Sequence, residues 1–249
     1  MNDYLCAILT PMLKDLETVL AHCQFLQGLT LEDKMAVIEN GRSMRKLPGE
    51  YFFHQGEPSE TIYILLSGRV KLTQLTESGQ EVIVDYLGPG AGIGIVVALS
   101  QIPYPLSAEA VEICEAVSWQ RDDLHPLMLR HPRLALNGLE LVARRFGVLQ
   151  QRFQEMATQR VEQRVARSLL RLVKQFGQKT EEGLLINMSL SRQELAQLTG
   201  TDVYQVSRIV SKWEQDGLIK TGRKRFTLLD AHGMVAIAED LPDVTPHQH

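Results

Sequence analysis

The sequence predicts an α+β chain: an N-terminal antiparallel β jelly roll, then a long helix, then a C-terminal winged helix-turn-helix. Three observations carry this. Between Arg42 and Gln120, short runs of β-formers alternate with Gly56, Gly68, Gly79, Gly88, Gly90 and Gly92, a rhythm that suits an antiparallel sandwich rather than a parallel α/β sheet. From Pro132 the apolar period becomes helical. Near the C-terminal end, Ser191 and Asp202 each open a short amphipathic helix, with Gly200 between them.

Length and composition set the limits. The 249 residues can bury a sizeable core and suggest two domains joined by the helix: residues 1–131, 132–157 and 158–249. No charged-then-apolar leader is read at the start, and no apolar run approaches the roughly 20 residues a bilayer requires, so a cytoplasmic protein with no membrane partner is expected. Cys6, Cys23 and Cys114 are too few and too far apart for a disulfide framework or a zinc pattern, and burial is expected for each. The tail after Leu241 is expected to fray.

In chain order, residues 1–40 read as short helices. Leu26, Leu29, Leu31, Met35, Val37 and Ile38 are their apolar positions, and Thr30 with Asp33 marks a helix start. Strands are expected at Tyr51–Phe53, Thr61–Leu66, Arg69–Leu75, Glu81–Leu87, Ile93–Val97 and Cys114–Gln120. Beyond Pro132, Ala135, Leu139, Val142, Phe146, Leu149, Phe153 and Met156 recur at alternating steps of four and three, a heptad seam that needs a partner helix. Arg144, Arg145, Gln150, Gln151 and Arg152 keep the other faces polar, so the partner expected is a second copy of the chain. Thr158 is read as the start of a further helix, Val161 to Phe176, that buries Val165, Leu169, Leu172 and Val173.

The stretch from Leu190 to Leu228 carries the chemistry. Ser191 and Glu194 form a capping pair, with Leu195 and Leu198 as the buried stripe of the first helix. Asp202 and Gln205 repeat the pattern, and Val206, Ile209, Val210 and Trp213 face inward from the second. Tyr204, Gln205, Ser207, Arg208 and Ser211 make its polar face. Lys220 to Leu228 then read as a strand, a basic turn and a second strand, which is a wing. Residues 157–226 hold 13 Lys or Arg against 7 Asp or Glu, a balance of +6 in a chain whose net charge is −4. Cations concentrated on a helix-turn-helix point to double-stranded DNA, because phosphate neutralisation supplies most sequence-independent affinity. An enzyme reading finds no phosphate-cradling glycine loop, no paired histidines at metal spacing and no nucleophile motif; Arg42–Gln120 holds only His54. A protein-binding module working through the acidic N-terminal part is the weaker rival.

Several motifs carry a resemblance. His54-Gln55-Gly56-Glu57, Leu66-Ser67-Gly68-Arg69-Val70, Gly88-Pro89-Gly90 with Ile93-Gly94, Ala143-Arg144-Arg145 and Ser191-Arg192-Gln193-Glu194 fall in the order in which the CRP/FNR family of bacterial transcription regulators carries them. The chain resembles that family along nearly its whole length, and the FNR/DNR-like branch more than the cyclic-AMP-binding members. The resemblance implies a cyclic-nucleotide-binding-like roll that senses an effector, a homodimer through Leu139, Val142, Phe146, Leu149, Phe153 and Met156, a palindromic operator and contact with RNA polymerase, as an activator. It also implies an effector pocket around Ile93, Gly94, Ile95, Leu106, Ser107, Leu149 and Gln150; the stretch from Met156 to Val161, between the seam and the reading domain, is read as a hinge.

Where family members bind a cyclic nucleotide, a Glu follows the pocket glycine and an Arg-Ser pair follows soon after. Here Ile95 and Leu106-Ser107 stand in those places. A phosphate buried against Ile and Leu is an unpaired charge costing several kcal/mol, so cyclic AMP is not expected. An iron-sulfur cluster generally takes four thiolates and the chain has three cysteines, so a cluster is not expected either. Haem remains a candidate cofactor, since Ile93, Ile95, Val96, Val97, Leu99 and Leu106 make the pocket apolar; His22, His125 and His131 are the conceivable ligands, with Cys23 and Met12 behind them. An apolar small molecule, a thiol signal through Cys6 or Cys23, or no effector at all completes the alternatives. By the resemblance Arg208 reads guanine, Val203 and Tyr204 replace other base readers, Asp202, Gln205 and Ser207 complete the reading surface with Ser191, and Arg192, Gln193, Arg223 and Lys224 hold the DNA backbone.

Overall fold

The structure is a computed structural model that describes residues 16–95 and 102–241. It divides into two compact units between Val148 and Leu149.

The first unit begins with a helical segment at 16–22, a 3-10 turn at Gln24–Leu26 and α1 (Leu31–Glu39). Thr30 starts α1 as expected, its hydroxyl accepting from the Asp33 backbone N–H at 3.1 Å. Eight strands follow: β1 (Arg42–Lys46), β2 (Tyr51–Phe53), β3 (Thr61–Ser67), β4 (Val70–Leu75), β5 (Glu81–Leu87), β6 (Gly92–Ile93), β7 (Ser107–Ala110) and β8 (Cys114–Gln120). They form two antiparallel sheets ordered β1-β8-β3-β6 and β2-β7-β4-β5. Phe52, Phe53, Tyr63, Leu65, Leu72, Ile93 and Tyr104 fill one core, and a second gathers Leu20, Phe25, Leu26, Ile62, Ile64, Ile95 and Trp119. The Trp119 indole N–H donates to the Val37 carbonyl at 3.1 Å, tying α1 to β8.

Two strands escape the sequence pattern. β1 reads Arg-Ser-Met-Arg-Lys and lies at a sheet edge, where charged residues are tolerated and alternation is weak. β7 is short and its inward positions are the small Ala108 and Ala110. The strand expected at Ile93–Val97 ends at Ile93, because Gly94 turns with φ +75° and Ile95 is already helical. A Cβ at Gly94 would stand 2.9 Å from the Thr61 carbonyl oxygen, so a side chain there would clash as well as strain the backbone. Val96 and Val97 lie outside the described residues.

After α2 (Arg121–Arg130), α3 runs without interruption from Pro132 to Thr158. Its Leu134, Asn137 and Leu141 are buried in the first unit, where the Asn137 amide donates to the carbonyls of Phe25 and Gln27, each at 2.8 Å. Thr158 therefore ends a helix, where the sequence suggested that it begins one. Its hydroxyl bonds back to the Gln154 carbonyl at 2.8 Å, and the next helix, α4 (Val161–Phe176), starts after Arg160.

The second unit holds α4, β9 (Gly177–Lys179), β10 (Leu184–Ile186), α5 (Arg192–Thr199), α6 (Val203–Gln215), β11 (Ile219–Gly222), β12 (Arg225–Leu228) and α7 (Ala231–Glu239). Its sheet is ordered β11-β12-β10-β9. The two-strand wing is therefore half of a four-stranded sheet whose other hairpin, rich in Gln, Lys and Glu, gives no alternation to read. Val173, Leu198 and Ile209 are half-buried where the sequence placed them inside, since Phe176, Ala196, Thr199 and Val210 occupy the interior. Glu155 is buried near the end of α3, and both its oxygens accept from one Arg171 nitrogen on α4 at 2.9 Å.

Candidate nucleic-acid interface

The interface is built by two capped helices and a turn. Ser191 accepts from the Glu194 backbone N–H at 3.1 Å, and Glu194 accepts in return from the Ser191 backbone N–H at 2.7 Å, so two otherwise unpaired donors at the start of α5 are satisfied. Gly200 ends α5 at φ +62°, a conformation that costs glycine little. Asp202 then accepts from the Gln205 backbone N–H at 2.8 Å, and its second oxygen takes the Gln205 side-chain amide at 2.8 Å. That backbone bond holds the Asp202 carboxyl below its ordinary range.

Helix α6 turns Val206, Val210 and Trp213 wholly inward, and the Trp213 indole donates to Glu162 at 3.2 Å. This fixes the opposite face. Val203, Tyr204 and Arg208 stand exposed there with Ser207 half-buried between them, and Tyr204 keeps 75% of its surface in solvent. Residues four apart share a helix face, so Tyr204 and Arg208 are neighbours on it.

Glu214, at the far end of α6, accepts from the Thr221 backbone N–H at 3.0 Å and hydroxyl at 2.5 Å, and lies 3.5 Å from Arg192. One carboxylate thus joins the first turn of α5, the end of α6 and the wing. Sequence reasoning missed Glu214, and Arg192, expected on a DNA phosphate, lies within ion-pair distance of it. Only the seven-residue step from Glu214 to Thr221, a helix end to a strand, could have hinted at the clasp. The wing tip is the Arg223-Lys224 turn between Gly222 and Arg225, which pair. Lys224 sits at φ +56°, held by its carbonyl accepting from the Leu190 backbone N–H at 3.0 Å. Gln193 is exposed on α5. Among the described residues, Arg208, Arg223 and Lys224 enter no ion pair, while Lys212 meets Glu162 and Lys220 meets Glu182. The face therefore offers a planar guanidinium fork on a helix and free cations on a wing, which suits a base edge and phosphates respectively.

Ile93 and Leu106 belong to the core that holds the Tyr104 ring, stacked 3.7 Å from Phe53, whereas Ile95 belongs to the other core. The Tyr104 hydroxyl donates to the Thr61 carbonyl at 2.5 Å and accepts from the Thr61 N–H at 3.2 Å, and burial pushes its pKa up to about 12. Ser107 accepts from the Gln55 backbone N–H at 2.9 Å. Leu149 and Gln150 fall in the second unit and are exposed on α3. Arg145 donates to the Gly92 carbonyl at 2.5 Å, its burial lowering the guanidinium pKa.

Of the conceivable haem ligands, His22 is hydrogen-bonded to the Thr18 carbonyl at 2.8 Å, His131 lies 3.6 Å from Asp33 and His125 is exposed on α2. None belongs to the cores around Ile93 and Ile95. Cys23 shares the core of Ile95, and burial raises its thiol pKa, which suppresses the reactive thiolate. Cys6, Met12 and Leu99 lie outside the described residues.

Comparison with known proteins agrees with this architecture. Residues 44–131 match the cyclic nucleotide-binding domain model and residues 163–237 the Crp-like helix-turn-helix domain model. The chain is 32% identical over 174 residues to the cyclic AMP receptor protein of Thermus thermophilus, covering 70% of this chain and 77% of that one. It is 28% identical over 217 residues to the transcriptional activator protein anr of Pseudomonas aeruginosa, covering 85% and 86%. Among solved structures, the c-di-GMP-responsive global regulator CLP of Xanthomonas campestris superposes with a TM-score of 0.71 at 21% identity, covering 80% of this chain and 99% of that one. FixK2 of Bradyrhizobium japonicum does so with a TM-score of 0.70 at 19% identity, covering 79% and 96%.

Proposed function

Because the chain belongs to the CRP/FNR family of DNA-binding transcription regulators, we propose that it acts as a homodimer that reads a palindromic operator, activates transcription through RNA polymerase and answers to an effector other than cyclic AMP. It is not an enzyme. The observation that carries the reading is the exposed face of α6, with Arg208 in no ion pair among the described residues and the Arg223-Lys224 wing tip beside the same helix-turn-helix. Selection of bound duplexes from a random pool at physiological salt tests it: inverted repeats with half-sites about one DNA turn apart are expected, and an unenriched pool overturns it.

Support for the dimer comes from α3. Leu139, Phe146, Leu149, Phe153 and Met156 are each more than half exposed, although each would gain about 1.5–3 kcal/mol on full burial. A second copy of the same helix provides that burial. Phe153→Lys should turn a dimer into a monomer in sedimentation and cost most of the affinity for the palindrome.

The exclusion of cyclic AMP rests on Ile95, buried in one apolar core, and half-buried Leu106, packed against the other, where a ribose acceptor and a phosphate cation would be needed. Titration calorimetry should find no saturable cyclic AMP binding; uptake that tightens operator binding refutes this part alone. Neither haem nor an iron-sulfur cluster is proposed: among the described residues His22, His125 and His131 stand outside the cores around Ile93 and Ile95, and three cysteines fall short of the four thiolates a cluster generally takes.

A further inference from the structure

We infer that Tyr204 is a specificity residue of the DNA-reading face and that it reads the C5-methyl group of a thymine next to the base pair held by Arg208. The inference rests on the DNA-binding reading above and names what that surface selects.

Four facts lead to it. Tyr204 lies in the first turn of α6 and presents a large, rigid ring that is 75% exposed. Such rings at binding faces supply contact area at small entropic cost and are frequent anchors of affinity. Tyr204 and Arg208 are one helical turn apart on the same face, so they meet neighbouring base pairs when the helix enters the major groove. The groove code leaves few choices for the pair beside Arg208. A cytosine amino group is read by a carboxylate acceptor, and an adenine edge by a bidentate amide. The carboxylate at this helix end belongs to Asp202, and both its oxygens are taken by the Gln205 backbone and side-chain donors. The amide at this helix end belongs to Gln205, and its nitrogen is spent on Asp202 in the same bond. Carboxylate and amide readout are thus tied up in the cap, and what projects beside Arg208 is the face of the Tyr204 ring with the apolar Val203. An apolar surface in the major groove has one base-specific partner, the thymine methyl.

The test uses the full-length protein and the palindrome recovered by selection. In each half-site, the thymine beside the Arg208 G·C pair is replaced by uracil, which removes the methyl and keeps every hydrogen-bonding group. Wild-type protein should bind the uracil duplex three- to tenfold more weakly, and Tyr204→Ala should bind both duplexes alike. Tyr204→Glu should move the preference at that pair from thymine to cytosine. Equal wild-type affinity for thymine and uracil duplexes, or a Tyr204→Ala protein that still discriminates them, overturns the inference. A recovered palindrome with no thymine at that position also overturns it and leaves the DNA-binding reading standing. A pool without any enriched repeat removes the DNA-binding reading itself. Circular dichroism of the variants separates loss of contact from loss of fold.

Discussion

The two units place certain aromatic and cationic residues in opposite ways. In the roll, aromatic rings turn inward: Phe53 stacks on Tyr104, Tyr63 packs beside Phe52 and Phe53, and the Tyr104 hydroxyl is closed on the Thr61 backbone. Cations on its β-hairpins are paired, Arg69 with Glu112 at 2.7 Å and Lys71 with Glu109 at 2.9 Å. In the DNA-reading unit, Tyr204 turns outward and Arg208, Arg223 and Lys224 enter no ion pair among the described residues. A region that satisfies its own polar and aromatic groups is built for stability. A region that leaves them facing water along one side is built to meet a partner of opposite charge.

The contrast is sharpest between its two tyrosines. Tyr104→Ala should cost about 3–5 kcal/mol in urea unfolding, as expected for removing a buried aromatic ring, while the salt slope of DNA binding stays the same. Tyr204→Ala should leave the unfolding midpoint within about 0.5 kcal/mol, as for an ordinary surface position. A comparable loss from both substitutions would erase the distinction between an inward and an outward ring.

Smaller effects refine it. Arg208→Ala should lose roughly 1–3 kcal/mol at a single G·C pair and relax preference there; a uniform loss across all sequences would make Arg208 a phosphate anchor. Lys224→Gly should do two opposite things. Relief of a left-handed lysine should raise stability by about 1 kcal/mol, whereas the lost cation should reduce the magnitude of the salt slope by about 0.9 if Lys224 neutralises one phosphate.

The smallest effect is a pH dependence at Asp202. Its carboxyl is held below the ordinary range by the Gln205 backbone N–H, so the cap stabilises fully above the unfolded pKa of about 4 and is lost as pH falls through the lower folded value. Helical signal from the reading unit should fall in acid less steeply in Asp202→Asn, which caps without titrating. Identical acid profiles would assign the transition to other carboxylates.

The roll and the reading face were legible to different depths. Strands with alternating β-formers between glycines were readable because turn chemistry is local, and β3, β5 and β8 fall where the pattern places them. β1 was hidden because its basic residues are stable only beside β8, some seventy positions away in the chain. The caps at Ser191 and Asp202 were readable to the residue, since a cap is completed within four positions. Arg192 was not, because its partner Glu214 is brought to it by the packing of α5 on α6.

By itself, then, the sequence determined what short-range chemistry can encode: the α+β order of elements, the helix-turn-helix, the basic wing and the heptad seam of α3. Tertiary structure alone decided which of these groups remain available. It buried Ile95 and Cys23 together, closed Tyr104 over Phe53, clasped Glu155 to Arg171, and left Tyr204 and Arg208 facing outward. The reason is that burial and pairing depend on residues far apart in the chain, and those distances are set only when the elements pack.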